Sequence, residues 1–360
     1  MIKSDFKIAV RNILRTKVQS SISIMGLGIG LGSIILLMAL IVHEMSFDRF
    51  IPDNSNVYRV IFGSYCWSQY PLGDEMKKDF PEVKGFFRIN QADNVQVRNT
   101  KNEYGRNQDF AFADASIFKI LGIKIIEGNP AKTPSEVAIS EKTAKKYFGN
   151  KSALGEVLRA KLNTEFITLS VTGIYKDFPA NSTLFPDFIA DIKLSEVLFG
   201  QFKTQLGEYG GGISTSLNWN NSAFYTYLVL EKNTNKQALI SKMQKYTELI
   251  SLEWAKKLKY DLQPVRDIYL KSDGYLKYFH FFRAGSASEL KYYWSISFLI
   301  LLISVTNYIF LTRASTSDRL REMGTRKVLG ASPEILRRQI IIESNIITLL
   351  SLIPASFVID

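Results

Sequence analysis

With 360 residues, 46% of them hydrophobic and 22% charged, the chain has the averages of an ordinary globular protein, but those averages mix long uncharged runs with one polar middle. The net charge of +11 raises nucleic acid or a membrane surface as a partner, and its distribution, given below, removes the need for nucleic acid. Cys66 is the only cysteine, which excludes an intrachain disulfide.

Residues 1–19 place Phe6, Ala9, Val10, Ile13 and Leu14 on one helical face and Lys7, Arg11 and Arg15 on another. This predicts a cytoplasmic amphipathic helix lying at a lipid surface. Residues 20–42, SSISIMGLGIGLGSIILLMALIV, carry no charge and are long enough to span a bilayer. A signal peptide would have a shorter apolar core and a small-residue cleavage site. Within this span Gly26, Gly28, Gly30 and Gly32 form two overlapping G-x-x-x-G pairs, the spacing that lets another helix approach closely.

The middle, 43–291, reads as mixed α and β. Strands are predicted at 56–62, 123–128, 166–175, 222–231 and 259–265, and helices at 71–80 and, capped by Ser140 and closed by Gly149, at 141–148. Leu239, Met243, Tyr246, Ile250 and Trp254 recur at helical spacing over 235–256 and predict a buried helix face. The chain should return to the membrane where it left, giving a proximal lobe at about 50–125 and 222–285 and an inserted lobe at about 126–221.

Residues 292–311 are a second uncharged run, opened by Tyr292, Tyr293 and Trp294 as an interfacial aromatic belt would be. Residues 340–360 form a third, with Glu343 near its start and Pro354 inside. Between them, 312–339 carries a short apolar stripe of Leu320, Met323, Val328 and Leu329 among Arg319, Arg321, Glu322, Arg326 and Lys327. Gly330 ends the predicted short helix, and Ser332 caps the next with Pro333 at its first position. Segments 1–19 and 312–339 hold 12 Lys and Arg in 47 residues, against 33 in 249 for the middle. The positive-inside rule places the two short segments in the cytoplasm and the middle outside.

Catalytic chemistry is not visible. No Gly-Lys pair exists to build a phosphate-binding P-loop. His43 and His280 are the only histidines, and neither has metal-binding spacing. The expectation is a chain with no catalytic, cofactor or metal residues. The Gly210-Gly211-Gly212 run reads as a loop.

Segment 317–344 resembles the signature of FtsX-like permeases of ABC transporters, of the MacB and lipoprotein-release type. The matching residues are Arg321-Glu322-Met323-Gly324, Arg326 to Ser332, Gln339 and Glu343-Ser344. FKIAVRNILRTK, GLGIGLG, EMSFDRF, NVYRV, EGNP, VAISEKTAKKYFG, VTGIYKDFPANS and LQPVRDIYL are similar, in order, to the rest of the family in its Bacteroidetes variant. The resemblance implies an α-helical membrane protein with a large α+β extracytoplasmic domain of two lobes, sited in the inner membrane. It implies a separate cytoplasmic ABC ATPase that carries the ATP and Mg, docking on Leu320, Arg321, Glu322, Met323, Gly324, Arg326, Lys327, Val328, Gly330 and Ser332. A second permease half or a second copy, envelope proteins and membrane lipid are the other partners it implies. Family members have four spans, or eight in duplicated chains, so a sequence that stops at Asp360 as its third run ends is expected to be a fragment or a truncated product. The competing expectation is a membrane-anchored sensor or scaffold that regulates an envelope enzyme.

Overall fold

The computed structural model describes residues 2–99, 104–162, 165–197, 217–275, 283–328 and 333–359. The chain forms two compact units, one of Met1–Met45 with Ala287–Asp360 and the other of Ser46–Ser286.

The first unit is helical: α1 (Ile2–Arg15), α2 (Lys17–Met45), α8 (Ala287–Val328) and α9 (Pro333–Ile359). Three stretches within it, Lys17–Met45, Ala287–Phe310 and Ile340–Val358, are long and apolar enough to cross a membrane. In α1, Ala9 and Ile13 are buried while Phe6 and Leu14 stay exposed, so the expected apolar face is only partly covered. The structure corrects one expectation here. The segment after the second span is not a separate short helix. α8 runs unbroken for 42 residues, about 60 Å at ~1.5 Å per residue. Nothing between Leu311 and Met323 is a helix breaker, and Gly324 alone is too weak a stop.

The second unit holds one ten-stranded sheet: β1 (Val57–Phe62), β2 (Val83–Arg98), β3 (Tyr104–Ala113), β4 (Ile125–Gly128), β5 (Glu136–Ser140), β6 (Val157–Leu162), β7 (Glu165–Tyr175), β8 (Phe188–Asp191), β9 (Tyr225–Leu230) and β10 (Tyr260–Pro264). The order is β10-β1-β9-β2-β3-β8-β5-β7-β4, and β6 pairs with both β7 and β2. The path β2-β3-β8-β5-β7-β6-β2 therefore closes into a six-stranded barrel. Alternate residues fill it: Val95 and Val97, Phe110 and Phe112, Val137 and Ile139, Leu158 and Leu162, Leu169 and Val171, Phe188 and Ala190. Closure of this kind removes strand edges and demands inward side chains at every second position.

One sheet runs through both expected lobes. The outer halves of β2 and β3, read as proximal, are staves of the barrel. The open part, β10-β1-β9-β2, is covered by α3 (Leu72–Asp79) and α6 (Lys236–Met243), which bury Leu72, Met76, Leu239 and Met243 against Val60, Leu228 and Leu262. The helix expected over 235–256 breaks into α6, a 3-10 turn at Gln244–Leu249 and a single turn, α7 (Glu253–Lys256). Ile250 is extended, so the period is lost there and Trp254 is 54% exposed rather than buried. α4 (Ser116–Leu121) and α5 (Glu141–Phe148) complete the unit. Ser140 caps α5 by accepting from the Thr143 amide, and Gly149 takes the left-handed φ of 67° that follows it.

Arg88 fixes β2 to its neighbours. It donates through Nε and Nη2 to the two carboxylate oxygens of Asp114 at 2.9 Å each, and through Nη1 to the Tyr70 carbonyl and to Asp74 at 2.8 Å. Its guanidinium also stacks over the Tyr70 ring, 4.0 Å from the centroid. A bidentate pair of this kind is strong because its geometry is fixed. Removing Asp114 leaves the buried guanidinium with only the exposed Asp74 as counter-charge, which puts the loss at the lower end of the range, about 3–5 kcal/mol, that breaking a buried pair costs. Asp114→Ala is expected to lower stability by about 3 kcal/mol in denaturant unfolding of the solubilised chain, far more than Asp273→Ala on the surface.

Candidate functional site

The alternating glycines of α2 divide between two helices. Gly26 and Gly30 face α8: a Cβ built on Gly26 would lie 2.5 Å from Asn307 Nδ2, and one on Gly30 would overlap the Ser304 side chain. Gly28 and Gly32 face α9. A Cβ on Gly28 would meet the Pro354 ring and stand 2.6 Å from the Ser351 carbonyl oxygen; one on Gly32 would stand 2.8 Å from the Ala355 carbonyl oxygen and 2.9 Å from Val358 Cβ. The spacing explains the division. Residues four apart share a face, and the two pairs are offset by two residues, more than half a turn of helix. α2 thus sits as a wedge between α8 and α9, at a distance no side chain would permit. In lipid, where no hydrophobic exclusion drives helices together, such close backbone packing holds a bundle. Tyr308 OH adds a hydrogen bond of 2.8 Å to Ser344 Oγ, joining α8 to α9.

The residues expected to meet an ATPase lie on the last turns of α8. Leu320, Arg321, Glu322, Met323, Gly324, Arg326, Lys327 and Val328 are all helical. Gly330 and Ser332, and the cap assigned to Ser332, lie outside the described residues, as do Leu329, His280 and the Gly210–Gly212 run. At about 100° per residue the positions of Met323 and Val328 fall about 60° and 80° to either side of Leu320, within one broad face of the helix. Gly324 has open space around it, and Val328 is 88% exposed.

A third group was not singled out from the sequence. It lies where the extracytoplasmic unit begins and ends. Asp48, 3% exposed, accepts from the Thr183 amide at 2.8 Å and from the Thr183 hydroxyl. Burial pushes its carboxyl up to about 6, against the opposing pull of Thr183 and of Arg59. Arg59 is itself buried and donates to Gln263 Oε1 at 2.6 Å and to Ser272 Oγ at 3.0 Å. Among the described residues no cluster of His, Cys, Asp or Glu could hold a metal ion.

Spanning-length helices on either side of an inserted α+β domain define a multi-helix membrane protein with a large extracytoplasmic domain. The MacB-like periplasmic core domain model matches residues 20–246, and the FtsX-like permease C-terminal model matches 294–359. The chain belongs to the FtsX/MacB-type permeases of ABC transporters. No curated protein matches it. Among solved structures it is similar to a permease-protein domain from Porphyromonas gingivalis (19% identity, TM-score 0.47, covering 59% of this chain and 92% of that one). It is also similar to the periplasmic region of MacB from Actinobacillus actinomycetemcomitans (11%, 0.42, 61% and 92%). A third is the extracellular domain of the noncanonic ABC-type transporter YknZ from Gram-positive bacteria (13%, 0.38, 58% and 100%).

Two outcomes are expected. Gly30→Leu overpacks the α2–α8 contact, a cost of about 1–3 kcal/mol. It should lower the unfolding midpoint of the detergent-solubilised chain without affecting insertion, whereas Ile29→Ala on the exposed side should leave the midpoint nearly unchanged. For Asp48, a carboxyl that binds its proton more tightly when folded loses stability as pH rises from about 4 to about 6, by about 3 kcal/mol in all, and the loss is complete above that range. Asp48→Asn should therefore raise stability at pH 7.5 by up to about 3 kcal/mol, and its advantage should vanish near pH 4 in unfolding titrations.

Proposed function

We propose that this chain is the membrane subunit of a machine in which a separate ATPase, holding ATP and Mg, drives movement of the extracytoplasmic domain. In this reading the N-terminus and the end of α8 are cytoplasmic, and Ser46–Ser286 lies in the periplasm beyond the inner membrane. An envelope substrate is exported or extracted outside the bilayer, and a second permease half or a second copy completes the assembly. The chain supplies no catalytic group and relies on its partner for hydrolysis.

The observation that carries the reading is the continuity of α8. One helix contains the second apolar stretch, Ala287–Phe310, and extends through Val328. A push at the far turns is then delivered to the spanning part without an intervening hinge. Gly324 leaves a gap for close approach, and Val328 offers an uncovered apolar side chain. Arg321, Glu322, Arg326 and Lys327 would orient the docking, since rim charges tune specificity and association rate more than affinity. The glycine wedge supports the same reading, because movement of α8 must be felt by α2.

The double change Leu320→Asp with Met323→Asp should abolish co-purification of the ATPase from native membranes while the extracytoplasmic domain still folds. Retained ATPase binding would reduce the segment to a topology signal. Orientation is checked by impermeant thiol labelling of intact cells. A Lys151→Cys probe should react and a Ser317→Cys probe should not; the reverse pattern would invert the arrangement.

A further inference from the structure

We infer that the loop at residues 179–183, between β7 and β8, is a clasp that fastens the inbound and outbound ends of the extracytoplasmic domain to each other. The inference deepens the proposed coupling and rests on it only for its purpose. The contacts themselves lie wholly within the unit Ser46–Ser286.

The inbound end is held by five bonds, one of them from the Thr183 hydroxyl to the Asp48 carboxylate. Asn181 Nδ2 donates to the Ser46 carbonyl at 3.1 Å and to Ser46 Oγ at 3.0 Å. The Asp48 amide donates back to the Asn181 carbonyl at 2.9 Å, and the Thr183 amide donates to Asp48 Oδ1 at 2.8 Å. The outbound end is held by the same five residues. The Arg283 amide donates to the Thr183 carbonyl at 3.0 Å, its guanidinium donates to the Ala180 carbonyl and lies 4.6 Å over the Phe185 ring. A turn in which the Ser182 amide donates to the Pro179 carbonyl, at 3.0 Å, gives the loop its form. Ser182 and Thr183 are almost fully buried.

A second layer lies beside the clasp. Phe47 stacks on Tyr269 with centroids 3.5 Å apart, and the Tyr269 carbonyl accepts from the Gly285 amide at 3.1 Å. Each end of the domain is thus bonded to a loop roughly 100 or more residues distant in sequence. That loop lies within the connection between two barrel staves, β7 ending at Tyr175 and β8 beginning at Phe188. Separation of Ser46–Asp48 from Arg283 has to strain the loop first, and the strain passes into β7 and β8. A surface loop that merely connected two strands would need neither buried hydroxyls nor side-chain bonds to both chain ends. The clasp makes the barrel the receiver of whatever displacement reaches the domain from Met45 and Ala287.

The test uses the full chain in lipid nanodiscs, in a Cys66→Ala background, with spin labels at Arg49→Cys and Ala284→Cys. Asn181→Ala removes two of the inbound bonds. The distance distribution should broaden, and amide exchange at Phe188–Asp191 should quicken by on the order of fivefold, the effect of about one net hydrogen bond. An unchanged distribution and unchanged exchange would overturn the clasp. If Asn181→Ala instead loosened the whole sheet, a Ser46→Cys/Asn181→Cys chain, followed by exchange alone, decides the matter. Its oxidised form should protect Phe188–Asp191 relative to the reduced form, and equal exchange in the two would overturn the inference. These readouts need no ATPase. Loss of ATPase docking would leave the clasp standing, and loss of the clasp would leave docking standing.

Discussion

A domain inserted between two membrane helices has to bring its ends back together, and the extracytoplasmic sheet is arranged around that requirement. β1, which follows the first span, and β10, which leads to the second, are antiparallel neighbours at one edge. Arg59 on β1 stands directly opposite Gln263 on β10 and bonds to it. With the two ends joined, the chain between them is free to build outward, and it does so as the closed barrel of β2, β3, β5, β6, β7 and β8. The covering helices and the three hydrophobic clusters follow from this layout, since the open edge region needs cover on both faces and the barrel fills itself.

The membrane unit answers a different constraint. Lipid offers no hydrophobic driving force between helices, so α2 gives up side chains where it meets α8 and α9. Glycine is costly in a soluble helix, but here the lost side chain is what admits the Ser351 and Ala355 carbonyls. Burial of Asp48 is a comparable concession in the outer unit. An ionised carboxylate is kept in a place that raises its proton affinity, where an uncharged amide of the same shape would cost less.

Short-range periodicity carried much of this to the sequence reader. The uncharged runs mark the three spanning stretches, and the four-residue spacing of the glycines marks two packing faces. The Ser140 cap and Gly149 stop bound α5 to the residue. What was not legible depended on tertiary surroundings. β2 and β3 lack clean alternation because both of their faces are covered and Arg88, Asn90 and Gln91 are buried as polar groups. The regular spacing from Leu239 to Trp254 predicted one helix, yet the turn at Gln244–Leu249 shifts the register and puts Trp254 outside. α8 was divided at the membrane boundary because polarity changes there, although helix propensity does not. Asn181 and Ser46 are 135 positions apart, and no local pattern could have joined them.

The length of α8 has a mechanical corollary. The part beyond Phe310 is 18 residues, about 27 Å of straight helix. Pivoting at Phe310 through roughly 10° sweeps its tip by about 5 Å, close to one helical turn and of the size that shifts packed elements between discrete seats. On the other side of the pivot the spanning part is 24 residues, about 36 Å, so that arm is longer by about a third. Such a lever reverses direction, enlarges the stroke by about a third and delivers it with correspondingly less force.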